Sequence, residues 1–164
     1  MSTSGTTSPV IRPAGPEDLD LVAERRLLFL SEYRGMSPEE LDADFVAATR
    51  RFLERTHCQT FRSWLAEIEG SCVGIVSIIV SDAPPRPEDH RETDGYVVNM
   101  HVDADHRSAG IGRLLIQQAV QDCEAAGVRR FSLFTTDDGR PLYESLGFAD
   151  EPGWMNRYAS PGRD

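Results

Sequence analysis

One segment in the middle of the chain constrains the fold more than any other. An apolar stretch, GYVVNMHV at residues 95–102, is followed by a polar loop with two glycines and then by a long segment with helical periodicity. The stretch predicts a β-strand, and Leu115 and Cys123 belong to one apolar helix face. Gly110 and Gly112 fall in the loop, DHRSAGIG, just where that helix should begin. The order strand, loop, helix predicts a helix that packs on a sheet.

Further strands and helices are predicted on both sides of this segment. In chain order they are a strand at VIRP, a helix from Pro16 to Gly35, a helix from the capping box at Ser37, a hairpin of TFRSWLAEI and CVGIVSIIV, a strand at VRRFSLFTT, a short helix in GRPLYESLGF and a strand at WMNRY. We expect the first hairpin strand to be half-buried, because its apolar residues alternate. The chain of 164 residues thus predicts a flexible tail at residues 1–9 and one α+β domain on a mixed sheet at residues 10–164.

Charge and composition exclude several classes of function. The formal net charge is -10, which argues against a nucleic-acid partner and favours a cationic small molecule. The longest apolar run, residues 72–80, is far short of the roughly 20 residues that span a bilayer. No signal peptide is recognisable, and the three cysteines form no CxxC pair, so we expect a cytoplasmic protein with no membrane contact. The histidines and cysteines lack metal-ligand spacing, and no metal is expected.

The loop before the predicted central helix has the chemistry of an anion site. The first turn of a helix has backbone N–H groups without intrahelical partners and the positive end of the helix dipole. Gly110 and Gly112 allow close approach to this backbone, Ser108 adds a hydroxyl, and Arg107 and Arg113 add positive charge. A diphosphate would suit such a loop, although a simple strand-to-helix turn is the other interpretation.

The loop and the region after it resemble the core of the GNAT superfamily of N-acetyltransferases. Arg107, Gly110 and Gly112 match the family's R/Q-x-x-G-x-G/A loop, and LYESLGF at residues 142–148 matches its Leu-Tyr-x-x-x-Gly-Phe segment. The resemblance is strong from about Tyr96 to Phe148 and weaker over the first ninety residues, where the order of elements still agrees. It implies an α/β three-layer form of the α+β class: a mixed, mostly antiparallel sheet flanked by helices, with a splayed parallel strand pair.

Acetyl-CoA is the cofactor that the resemblance implies. Its pyrophosphate would bind the glycine loop, and its pantetheine arm would pair like an extra strand with residues 100–102, where that strand splays from residues 131–135. The residues carried over to cofactor binding are Met100, His101, Val102, Arg107, Ser108, Ala109, Gly110, Ile111, Gly112, Arg113, Thr136 and Gly139.

The resemblance also implies direct attack of an amine on the thioester in a ternary complex. Tyr143 corresponds to the general acid that protonates the departing thiolate; a tyrosine with its ring in the core is the other interpretation. An amine with a pKa of about 10 is mostly protonated at neutral pH, so a base or a chain of waters must take a proton. The tetrahedral oxyanion needs a backbone N–H donor, which we expect near His101 or Val102.

Three residues of the strand at 95–102 are candidates for the base or for a proton relay: Tyr96, Asn99 and His101. Strand alternation predicts that Asn99 and His101 share one face, opposite Tyr96 and Val98. A strand histidine is more often simply hydrogen-bonded than catalytic, and water could relay the proton, so the base stays open.

The acceptor is the part of the reaction that the sequence does not identify. Relatives often line the acceptor cleft with the end of the first helix, here Glu32 and Tyr33, although plain solvent exposure is the other interpretation for Glu32. We expect a small-molecule or peptide amine, and a homodimer is possible. Two alternatives stay open: a non-catalytic acyl-CoA-binding or regulatory module on the same fold, and transfer of a longer acyl chain.

Overall fold

The computed structural model describes residues 8–153 and residue 155. Most of the predicted tail at residues 1–9, and all of the predicted strand WMNRY except Met155, lie outside the described residues. Two compact units divide the chain: the first ends at Phe134 and the second begins at Thr135.

A five-stranded sheet forms the centre of the first unit. Its strands are β1 (Val10–Pro13), β2 (Phe61–Ile68), β3 (Ser71–Asp82), β4 (Thr93–Val102) and β5 (Arg130–Leu133), and they lie in chain order. β1 to β4 are antiparallel, whereas β5 is parallel to β4. The pairing of β4 with β5 begins at Asp94 and ends at Val97. The last residues of β4 therefore have no partner in β5, which agrees with the predicted splayed pair in a mixed, mostly antiparallel sheet.

The described part of the chain contains four α-helices. They are α1 (Leu19–Arg34), α2 (Ala43–Thr56), α3 (Ile111–Ala125) and, in the second unit, α4 (Arg140–Glu144). α1 ends as predicted at Gly35, which has the left-handed φ of 69° that a C-cap favours. The predicted start of α2 at Ser37 is wrong, because that capping box closes only the 3-10 turn Pro38–Glu40. The helix begins instead after Asp42, whose side chain accepts a hydrogen bond from the Phe45 backbone.

Helices cover both faces of the sheet in the first unit. Buried side chains of α1, α2 and the strands form one core cluster that contains Val22, Leu53, Phe61, Leu65 and Ile75. Trp64 points the opposite way from its neighbour Leu65, and its indole Nε1 donates a hydrogen bond to Asp122 of α3 at 2.6 Å. β2 is consequently buried on both faces rather than half-buried as its alternation predicts.

A bulge interrupts β4 at Asn99. The register pairs Ser77 with Val98 and Ile75 with His101, so β4 has one residue more than β3 between these pairs. Asn99 has a φ of 55°, which is rare for a residue other than glycine. Val98 and His101 consequently lie on the same face, toward α1. The prediction that His101 lies opposite Val98 is wrong, because strict alternation does not hold across a bulge.

Gly95 is required where β4 meets β5. A Cβ built on Gly95 would lie 2.9 and 3.0 Å from Phe131 ring carbons and 3.1 Å from the Ile78 side chain. We expect Gly95→Ala to lower the free energy of unfolding by about 1–3 kcal/mol through overpacking, as measured by urea denaturation. Adding Phe131→Leu should restore part of this loss, and a Gly95→Ala protein of unchanged stability would contradict the packing argument.

Candidate functional site

The loop between β4 and α3 is open to solvent. After Val102 the chain makes a 3-10 turn, Ala104–His106, and residues 107–110 are all exposed. Ser108 and Gly110 both have left-handed φ angles, of 62° and 81°. A Cβ built on Gly110 would meet nothing within 4 Å, and the first turn of α3 contains no acidic side chain. The backbone N–H groups of that turn are therefore not covered by an acidic side chain of the turn itself.

The side chain of Arg107 links this loop to β4 and α1. Its Nε donates to the Val102 carbonyl oxygen at 2.8 Å, and its Nη2 donates to Glu32 Oε2 at 2.7 Å. Glu32 lies in the last turn of α1, so a residue from the predicted acceptor side contacts the predicted cofactor loop directly. Glu32 is half-exposed but hydrogen-bonded, and solvent exposure alone does not describe it.

His101, near the end of β4, is buried against α1. Its Nδ1 lies 3.2 Å from Arg25 Nη2, and its Nε2 lies 2.9 Å from Glu32 Oε2. A guanidinium can only donate hydrogen bonds, so Nδ1 is the acceptor and Nε2 carries the proton that is donated to Glu32. Both ring nitrogens are thus engaged. This arrangement favours a histidine that ties α1 to β4 over one with a free lone pair for an incoming amine.

Glu32 is held as a carboxylate. Its partial burial raises the pKa, but hydrogen bonds from His101 and Arg107 and the positive charge of Arg107 outweigh this, so the net pKa lies below the ordinary value. An acid whose pKa is lowered in the folded protein stabilises the fold at neutral pH. This contribution is lost as the pH falls through that pKa. The contacts of Glu32 with the loop should therefore persist at neutral pH and weaken on acidification.

The other two base candidates have different surroundings. Asn99 is only 2% exposed, and its Oδ1 accepts a hydrogen bond from Arg26 Nη1 at 2.6 Å. Its side chain has no titratable group, so it can orient a reacting molecule but cannot take a proton. Tyr96 is partly exposed, with 42% of its surface accessible to solvent. Of the three candidates, Tyr96 therefore has the titratable side chain that is open to solvent.

The predicted residues of the second unit lie around α4. Tyr143 is buried, and its ring meets that of Phe148 edge-on at a centroid distance of 5.7 Å. Burial raises the pKa of Tyr143 to about 12, so its hydroxyl keeps its proton at neutral pH. Gly139 caps α4, and its backbone N–H donates to the carbonyl oxygen of Thr136 at 3.2 Å.

Sequence reasoning missed the arginines of α1. Arg25 is 5% exposed and donates to Asp103 Oδ1 at 2.8 Å as well as approaching His101. Arginines are rarely buried, and nothing in the helical periodicity marks Arg25 or Arg26 as inward-facing. Tyr33, which follows Glu32 and was predicted to face the acceptor, is 61% exposed.

The described residues contain neither a candidate membrane span nor a candidate metal cluster. Across residues 8–153 and 155, no helix is both long and apolar enough to span a bilayer. Within the same residues, no group of three or more His, Cys, Asp or Glu side chains could hold a metal ion.

Comparisons with known proteins agree on a single family. Residues 22–148 match the model of the acetyltransferase (GNAT) family. N-acetyltransferase family 8 member 3 of Rattus norvegicus is 29% identical over 111 residues, which cover 66% of this chain and 46% of that protein. The chain thus spans about half the length of this curated relative.

Solved structures show the same fold. A predicted acetyltransferase from Clostridium acetobutylicum, crystallised with acetyl-CoA, has a TM-score of 0.80 at 22% identity, with 92% of this chain and 96% of that one covered. A GCN5-related N-acetyltransferase from Ralstonia eutropha has a TM-score of 0.73 at 26% identity, with 93% of this chain and 100% of that one covered.

Proposed function

The chain belongs to the acetyltransferase (GNAT) family, and on that premise we propose that it binds acetyl-CoA and transfers the acetyl group to a primary amine of a small molecule or peptide. The open loop at the N-terminus of α3 supports this proposal most directly. Gly110 leaves the first turn of α3 uncovered, and backbone N–H groups with a helix dipole suit a diphosphate. The Clostridium structure of the same fold was determined with acetyl-CoA.

The end of β4 supports the second part of cofactor binding. β5 pairs with β4 no further than Val97, so the following stretch, with Met100 and Val102, is left without β5 as a partner. An arm rich in amides, such as pantetheine, can pair with a strand in this way through backbone hydrogen bonds. The glycine loop follows β4 directly, so one continuous segment would hold both the arm and the diphosphate.

The reaction requires the movement of two protons. The amine nitrogen attacks the thioester carbon, the C–N bond forms, and the C–S bond breaks to release the thiolate of coenzyme A. The amine proton passes to a base, for which Tyr96 or water is the better candidate because both nitrogens of His101 are engaged. The thiolate receives a proton from Tyr143, which retains its own at neutral pH because burial raises its pKa to about 12. Backbone N–H groups near His101 and Val102 would stabilise the oxyanion.

Calorimetry and a thiol-release assay together test this function. Acetyl-CoA should bind, and at least one primary amine should release free coenzyme A thiol. Binding without release from any amine would favour the non-catalytic acyl-CoA-binding module, and no binding would contradict both. Replacing acetyl-CoA by longer acyl derivatives in the same assay tests which chain length the pocket accepts.

The contact of Glu32 with Arg107 gives a further prediction. Glu32→Gln removes a negative charge beside the loop and releases Arg107 to approach the diphosphate. We expect acetyl-CoA to bind about 2–5-fold more tightly, because half-exposed ion pairs of this kind are worth up to about 1 kcal/mol. Glu24→Gln, an exposed residue on the same helix, is the matched control and should leave the Kd unchanged. Weaker binding by Glu32→Gln in calorimetry would show that the carboxylate supports the loop rather than competing with the ligand.

A further inference from the structure

Arg26 is a partly buried cation without a carboxylate partner. Its Nη1 donates to Asn99 Oδ1 at 2.6 Å, and no ion pair of Arg26 with a carboxylate exists in the described part of the chain. Arg25 beside it has Asp103 at 2.8 Å, and Arg107 has Glu32 at 2.7 Å. Arg26 thus differs from both neighbouring arginines of the site.

An unpaired cation at this depth is unfavourable for the folded protein. Burial lowers the pKa of Arg26, and no negative charge from residues 8–153 or 155 offsets this effect. Charged side chains removed from water are normally paired. The side chain remains partly exposed, so a solute can reach it. This combination is expected of a group whose counter-ion arrives with a ligand.

Asn99 supplies an independent observation. It is 2% exposed, and its Nδ2 has no hydrogen-bond partner among the residues described. Because Oδ1 accepts from Arg26, the amide N–H₂ on the same carbon lies beside the guanidinium. The bulge that carries Asn99 has a left-handed φ of 55°, a conformation that asparagine adopts more readily than most residues other than glycine. A buried donor without a partner requires an explanation, and a bound ligand supplies one.

The two side chains together offer donors and positive charge but no free acceptor. Guanidinium N–H groups match the planar, two-oxygen geometry of a carboxylate, and an amide N–H₂ adds a donor to the same oxygens. Arg26 supplies one positive charge, which matches the single charge of a carboxylate more closely than the nearly two negative charges of a phosphate. A carboxylate is therefore the better match.

We propose that Arg26 and Asn99 bind the carboxylate of the acceptor, so that the amine acetylated by this protein belongs to a small amino acid or a similar amino-carboxylate. This inference rests on the proposed function. Asn99 directly precedes Met100, where the proposed pantetheine-binding segment begins, so a short molecule can hold its acid at Arg26 while its amine reaches the thioester. The overall negative charge of the chain would repel the carboxylate of such an acceptor, and Arg26 provides the local attraction that this group needs.

Matched acceptors test the proposal. Thiol release is measured for a set of amino acids and for their carboxamides, which differ only in the charged group. The wild-type protein should prefer the acids by about 10- to 100-fold in kcat/KM, the range expected for hydrogen bonds to a charged group. In Arg26→Gln the preference should fall to about one, while the KM for acetyl-CoA stays unchanged. Arg34→Gln, an exposed arginine of the same helix, is the control and should keep the full preference.

A second variant and a binding measurement make the test decisive. Asn99→Asp gives Arg26 an internal counter-ion in nearly the same shape, and it should also remove the preference for acids. If no amine is turned over, calorimetry of the coenzyme A complex with the same acids and carboxamides decides the question: tighter binding of acids that is lost in Arg26→Gln supports the subsite. Equal kcat/KM or affinity for acids and carboxamides in the wild type would overturn it, even with acetyl transfer intact. Failure to bind acetyl-CoA would instead refute the proposed function.

Discussion

Gly112→Asp is expected to weaken binding of acetyl-CoA severely while leaving the protein folded. Gly112 is the second residue of α3, and an aspartate in the first turn is favourable for the helix dipole. The same carboxylate would lie against the diphosphate of the coenzyme. Two like charges about 4 Å apart repel by about 4 kcal/mol near a protein surface, so the Kd should rise by about 10²–10³-fold.

Calorimetry of Gly112→Asp beside Gly112→Asn separates charge from size. Asparagine fills nearly the same volume without the charge, and we expect it to weaken binding by a much smaller factor. Circular dichroism should show both variants folded. Equal weakening by Asp and Asn would mean that no phosphate lies against this turn, and the loop would lose its assigned role.

Tyr143→Phe is expected to slow acetyl transfer by about 10²–10⁴-fold, the usual contribution of a positioned acid. The substitution removes one hydroxyl and keeps the ring that packs on Phe148, so acetyl-CoA should bind with unchanged affinity. Single-turnover measurements of thiol release after mixing with an amine would isolate the chemical step.

The pH dependence gives a separate test of Tyr143. Because burial raises its pKa to about 12, the hydroxyl stays protonated throughout the range in which the protein is assayed. The rate should therefore rise with pH as the acceptor amine loses its proton, with no alkaline decline attributable to Tyr143 below about pH 11. A decline near pH 9 that disappears in Tyr143→Phe would contradict the raised pKa, and unchanged turnover in Tyr143→Phe would remove the residue from the mechanism.

Local sequence signals predicted most of the fold. The apolar runs that became β3 and β4, the helical periodicity of α3 and the stop at Gly35 each depend on residues near one another in the chain. The capping box at Ser37 was misleading for the same reason: it specifies a turn but not whether a helix continues beyond it. Leu41 is extended, and α2 needed the second cap at Asp42.

The candidate site was only partly predictable, because its side-chain contacts are long-range. The glycine loop could be read from consecutive residues, but Glu32 meets His101 and Arg107 only after α1 packs beside β4. Arg26 was missed because an arginine in a helix ordinarily faces water. Its inward position depends on Asn99, and the bulge there has no recognised signal in the alternation of GYVVNMHV.

The extra residue in β4 also determines how this strand can be aligned with those of other proteins. Before Asn99 the even-numbered residues Tyr96 and Val98 face α1, whereas after it the odd-numbered His101 does so. A homologue that lacks the extra residue would present each downstream side chain on the opposite face of the sheet, even where its amino-acid sequence is the same. When residue roles are transferred along this strand, the positions before and after the bulge must therefore be counted separately. The alternation between positions that tolerate substitution and positions that do not should also shift by one residue there.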